Sequence, residues 1–287
     1  MGGAFAPPIL ISVCLSDRVD KLFITIDNQI MIGFLIKKNF FDLWDNLFRI
    51  ALLNLGFIAS LAIPIFIPQL LAGVPVLGLI MLFAGIIWCF IYLSAAALCV
   101  KSVSDYGGFG FADFFSNLKA GWPLGIVAGL MVFIFYLMVS VVMNFYLSLD
   151  SVTGLMLAAI IFWTIIIGVI SFQFIFAVRA RLDTKISKIL KKCLIVFFDN
   201  PGFCIFTFFH NTVMLIISIF LALLFPGPAG ILLFLDEGLR LRLLKYDWLE
   251  ANPEADRKKI PWDAILIDER EKTGTRSLRN FIFPWKD

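Results

Sequence analysis

Asn54, Gln173, His210 and Asn211 place amide and imidazole side chains inside long apolar runs of this chain. An amide or imidazole in hydrocarbon is costly unless hydrogen-bonded, so such groups either tie helices together or line a site. His210 is the only histidine. It follows Pro201 by nine residues, about 13 Å along a helix, and an imidazole titrating near neutrality at that depth would gate a proton-coupled step. Asp236 and Arg240 are spaced to share a helix face as a surface ion pair. The five cysteines, Cys14, Cys89, Cys99, Cys193 and Cys204, include no C-x-x-C pair. With one histidine they read as small buried hydrophobes, so neither a metal nor a cofactor is expected. No G-x-S-x-G, Walker loop or H-E-x-x-H occurs, so no catalytic residue is assigned. Gly107-Gly108-Phe109-Gly110 follows no strand and reads as a turn between helices.

The elements that carry these groups follow from composition. Of 287 residues, 61% are hydrophobic and 16% charged, with 32 phenylalanines. Soluble domains run at about 45–50% apolar and about 25% charged, so an ordinary cytosolic enzyme, a disordered chain and a disulfide module are excluded. The reading is an all-α membrane protein.

Runs of about 20 apolar residues cross the bilayer core. Six appear, near Ile50–Leu71, Val76–Cys99, Pro123–Leu147, Val152–Val178, Pro201–Phe225 and, weaker, Pro228–Leu244. The connections LAGVP, LSLDS and FPGPAG carry only Asp150, whereas every Lys and Arg near a span end falls on the other side. The positive-inside rule then places both termini in the cytoplasm and three tight hairpins outside. The net charge of +3, without a concentrated basic face, gives no reason to expect a nucleic-acid partner.

A repeat is visible at an offset of about 71 residues. F-F-D-L-W-D-N-L-F-R at 40–49 matches F-A-D-F-F-S-N-L-K-A at 111–120, and Phe197-Phe198-Asp199-Asn200 echoes it. This predicts three pseudo-repeats, at about 38–105, 108–183 and 184–247. Each would be an amphipathic helix followed by a transmembrane hairpin, the kind of build that places a site at a repeat interface. In the third repeat, Ile186, Ile189, Leu190, Cys193, Leu194 and Phe197 share a face, with Lys185, Lys188, Lys191 and Lys192 mostly opposite. Such a helix lies in the interface with its lysines near anionic headgroups.

Several stretches resemble the YesL-like family of bacterial integral membrane proteins. They are Asn54-Leu55-Gly56 with Pro64 and Pro68 late in the first span, the 111–119 segment, K-K-C-L-I-V-F-F-D-N-P at 191–201, and Phe225-Pro226-Gly227. The resemblance covers about residues 38–247. It implies a bacterial cytoplasmic (inner) membrane protein linked to carbohydrate uptake, and it carries over no catalytic residue.

Outside the six-helix domain at 38–247, residues 1–37 read as an N-terminal extension, and Met31 opens like a natural translation start. Residues 248–287 form a charged cytoplasmic tail: positions 246–287 hold 17 of the chain's 45 charged side chains. In the tail, Trp262, Phe281, Phe283 and Trp285 are large apolar groups, as expected of a contact surface folded back on the protein or docking a partner. The functional expectation is a non-enzymatic accessory or scaffold subunit of a membrane complex, linked to solute uptake. A small-solute transporter with a polar site between helices is the alternative, and an intramembrane enzyme ranks last. A cavity lined by Asn54, Gln173 and His210 would favour transport, and a bundle filled by phenylalanine would favour scaffolding.

Overall fold

Backbone polar groups in hydrocarbon must be satisfied within their own segment, which leaves long apolar runs little choice but helix. The computed structural model describes residues 29–256, 260–274 and 276, and among these it is helical throughout, with no strand. The helices are α1 (29–45), α2 (Leu47–Leu70), α3 (Pro75–Ser104), α4 (Phe111–Leu137), α5 (Val152–Phe172), α6 (Ile175–Arg181), α7 (Ile186–Asp199), α8 (Pro201–Phe220), α9 (Gly227–Ala251), α10 (Trp262–Ile265) and α11 (Ile267–Thr273). A π-helical stretch at Met138–Met143 continues α4 into Asn144–Leu147.

Five segments are long and apolar enough to cross a membrane: Leu47–Leu70, Pro75–Ser104, Phe111–Leu147, Val152–Arg181 and Pro201–Phe220. They match the first five expected spans. The sixth run lies in α9, where Asp236, Glu237, Arg240 and Arg242 break the apolar stretch after two and a half turns. Asp236 and Glu237 are buried there.

The chain divides into two compact units, 42–239 and a second made of 29–41 with 240–276. In the larger unit α3 packs against both α2 and α4. The α3–α4 seam is made by Gly121, Gly125 and Gly129, four residues apart and so on one face of α4. A Cβ on Gly121 would sit 2.8 Å from Ser94 Oγ, and one on Gly129 3.2 Å from Ile87 Cα. Without side chains there, the two backbones approach closely, the usual solution for helices that gain nothing from hiding apolar surface in lipid. On the other side of α3, Gly85 lies against Pro64, and the Tyr92 hydroxyl donates to Leu53 O at 2.8 Å.

The smaller unit joins the two ends of the described chain. Lys37 Nζ donates to Gly274 O, Arg240 pairs with Glu269 at 2.7 Å, and the Arg276 guanidinium lies over the Phe41 ring. Residues 29–37, expected as an extension, are therefore part of a folded unit with the tail, and Met31 and Leu35 are fully buried.

The three repeat motifs take three different forms. The first straddles a turn at Asn46 between α1 and α2, the second is the opening of α4 continuous with the span, and only the third is a separate helix, α7. The reason is local. Asn200 and Pro201 end one helix and start the next, whereas nothing between Ala120 and Gly121 interrupts α4.

Candidate functional site

Asn54 is seven residues into α2, about 10 Å along the axis. Its amide donates to Leu224 O at 3.0 Å and Pro226 O at 2.8 Å, and its carbonyl accepts from Ala229 N at 2.9 Å. All the polar capacity of the side chain that counts is thus spent on the turn between α8 and α9. That turn contains a cis Phe225–Pro226 bond and Gly227 at φ +64°, where a side chain would be strained and would collide with the Asn54 amide. Ser218 completes the clamp: its hydroxyl accepts from Gly227 N at 3.0 Å.

Gln173 sits at the break between α5 and α6. Its Nε2 donates to Ile170 O at 2.8 Å and to Cys204 O at 2.9 Å, tying the break to the first turn of α8. Its Oε1 is buried and has no partner. His210 is stacked on Phe234, with ring centroids 3.7 Å apart and planes 15° from parallel, and its Nδ1 lies 3.5 Å from Asn211 Oδ1.

The four residues do not converge on one cavity. Gln173 and Asn211, with Thr212, line a pocket of about 380 Å³ between α3, α4, α5, α6, α8 and α9. Asn54 and His210 are not among its lining residues. The rest of the wall is apolar, including Phe90, Met131 and Phe135. Such a wall suits an apolar molecule, and it offers a sugar almost nothing to bond to.

Asp236 has its partner outside α9. Arg181 Nε donates to Asp236 Oδ1 at 2.9 Å and Arg181 Nη2 meets Asp236 Oδ2, while Nη1 reaches Asp105 at 3.0 Å and Nη2 also donates to Ser104 Oγ at 2.8 Å. This buried fork closes the ends of α3, α6 and the middle of α9 on one another. It was not legible from spacing, because its members are 55 to 77 residues apart. Arg240 bonds the tail through Glu269.

On α7 the expected faces are present. Ile189, Cys193 and Val196 are buried, and Lys185, Lys188 and Lys191 are exposed. Burial pushes the Cys193 thiol up to about 12, with the nearby Cys204 adding to the shift. Lys192 is half-buried, with Nζ on Leu182 O and on Asp183. Asp183 accepts from the backbone N–H groups of Lys185 and Thr184, which with the lysines hold its carboxyl below the usual range.

Trp262 is not at a surface. It is 2% exposed, with the Arg242 guanidinium 5.7 Å from its ring centre. With Ile260 and Leu266, also buried, it anchors the tail inside the smaller unit, the folded-back arrangement of the two expected for it. Phe281, Phe283 and Trp285 lie outside the described residues, as does Cys14. Among the described residues no group of three His, Cys, Asp or Glu side chains is placed to hold a metal ion.

No family model matches the chain, and no curated protein or solved structure is similar to it.

Proposed function

We propose that this chain is a non-enzymatic accessory or scaffold subunit of a membrane complex, as its resemblance to the YesL-like proteins implies, with solute uptake as the process it serves. The observation that carries the reading is the Asn54 clamp. The most deeply placed amide of α2 is consumed by three hydrogen bonds that fix a turn, which is the behaviour of packing glue and not of a ligand site. The stacking of His210 on Phe234 supports the same view.

The proposal includes a bacterial cytoplasmic membrane location with both termini in the cytoplasm, from the one-sided distribution of Lys and Arg. The α8–α9 pair completes six membrane segments in three pseudo-repeats, the last of them short. The lysines of α7 face anionic headgroups, and the apolar groups at the end of the tail, Phe281, Phe283 and Trp285, recruit the partner.

The test is mass spectrometry of what co-purifies with the tagged full chain in mild detergent, beside a Phe281→Ala/Trp285→Ala variant. A stoichiometric protein lost in the variant is the expected result. A chain that purifies alone from its native membrane overturns the scaffold reading.

The pocket beside Gln173 favours a second reading, a carrier of a small lipophile bearing a donor group. The supporting observation is the buried, unpartnered Gln173 Oε1 beside a wall that is apolar except for Asn211 and Thr212. A retained small molecule, lost in Gln173→Leu, would favour it.

A further inference from the structure

A second cavity includes none of Asn54, Gln173, His210 and Asn211 among its lining residues. It is a groove of about 450 Å³ between α2 and α4, floored by Tyr92 of α3. Arg49 stands at one end, and the groove runs past Leu52 and Leu55 to Ala59. Ten residues of α2 span about 15 Å, half of the roughly 30 Å hydrocarbon core and so the depth of one leaflet. Its opposite wall is Phe109, Gly110, Phe111, Phe114 and Phe115. The rims are open: Leu55 is 54% exposed, Phe111 70% and Phe115 61%.

The groove is built. Gly56 leaves the space that the Tyr92 hydroxyl occupies, and Tyr92 packs on Phe114 with centroids 5.0 Å apart. At the mouth, Arg49 is laid over the glycine-rich loop. A Cβ on Gly108 would come within 2.9 Å of the guanidinium, so a side chain there would push the end of Arg49 off the loop. Arg49 Nη1 donates to Asn46 Oδ1 at 2.9 Å, and Asn46 is itself fixed by donating to Asp42 O. No carboxylate among the described residues pairs with Arg49, unlike Arg181. Of the two acids at the loop, Asp105 meets Arg181 Nη1 at 3.0 Å, and Asp113 accepts from Gly110 N at 2.7 Å and caps α4, so the guanidinium and not the helix terminus is the anion-seeking group.

We propose that this groove binds one anionic glycerophospholipid, its phosphate on the Arg49 guanidinium above Gly107-Gly108-Phe109-Gly110 and one acyl chain between α2 and α4. A positioned, unpaired guanidinium suits a phosphate's oxygens, and the apolar trough below it fits a chain that is covalently attached to that phosphate. The length of the trough and its opening toward exposed leucine and phenylalanine side chains argue for a lipid occupant over a soluble phosphate. The site is distinct from the lysine face of α7, which meets headgroups without any groove.

The test uses the full chain in mixed vesicles of phosphatidylglycerol and phosphatidylcholine, extracted gently and weighed intact to count retained lipids. Wild type is expected to retain phosphatidylglycerol about five-fold more than Arg49→Gln, the factor for one basic group near an anionic surface. Arg49→Lys should recover most of the retention, and Ala59→Trp, which blocks the apolar end, should lose it. Lys188→Gln/Lys191→Gln should leave it unchanged. Equal retention in wild type and Arg49→Gln overturns the proposal. Displacement of the lipid by free glycerol phosphate would show a soluble-anion site and overturn it as well.

Discussion

Single side chains decide how this bundle closes. Asn54→Leu leaves Leu224 O, Pro226 O and Ala229 N without their partner in a buried setting. Each orphaned group costs about 1–3 kcal/mol, partly recovered by local relaxation. A loss of about 2 kcal/mol or more in detergent unfolding is expected, whereas Asn54→Asp keeps the acceptor for Ala229 and places a charge against two carbonyls, which should be worse. A variant as stable as wild type would show that the turn does not depend on the clamp. Cys193 makes a chemical prediction. The thiolate is the reactive form, and a thiol pushed up to about 12 holds almost none of it at pH 8. Unfolding returns the thiol to its ordinary value, where roughly a tenth to a quarter is thiolate at pH 8, so alkylation at that pH should be slow in the native protein and fast after denaturation. Rapid native labelling of Cys193 would contradict its burial.

Among the elements, α4 carries the sharpest prediction. Gly121, Gly125 and Gly129 form a ridge without side chains, and at Gly125 an added Cβ would run into the Ile91 backbone. Gly125→Leu should force α3 and α4 apart and reduce the yield of folded protein severely, by well over tenfold in detergent. Gly33→Leu, where a Cβ meets nothing within 4 Å, should be tolerated. The glycine spacing is present in the sequence, but spacing alone does not say which helix packs against it. The amphipathic pattern of α7 was legible in full, because alternating lysine and aliphatic residues at helical spacing leave one arrangement. At Trp262 the tail takes the folded-back alternative, which hydrophobicity alone does not select: it shows that a side chain needs cover, not which part of the chain supplies it.

For the whole molecule, the first prediction concerns sidedness. Ser151→Cys, at the start of α5 opposite the basic ends, should react with an impermeant thiol reagent in intact cells, and Lys188→Cys only after lysis. The reverse pattern would invert the proposed orientation. The turn at 221–227 is different from the other two expected outer hairpins. It is tied to Asn54, only about 10 Å from the start of α2 and about 24 Å from its end at Leu70. Ala222→Cys should therefore label more slowly than Ser151→Cys, and equal rates would place the turn at the surface.

Composition and hydropathy by themselves pointed to helix, to six apolar runs of which five are helices long and apolar enough to span a membrane, and to the charged face of α7. These are local properties: a run of aliphatic residues must satisfy its own backbone, and a helix repeats its face every three or four residues. Only the tertiary structure decided that Asp236 meets Arg181, that Asn54 holds a turn 170 residues away, and that Gln173 and Asn211 share a pocket from which Asn54 and His210 are absent. Pairings of that kind depend on which helices pack together and at what depth. Helix packing follows from shape, from glycine against backbone and ring against ring, and the same polar residue serves as glue or as a site according to what the neighbouring helix brings to it.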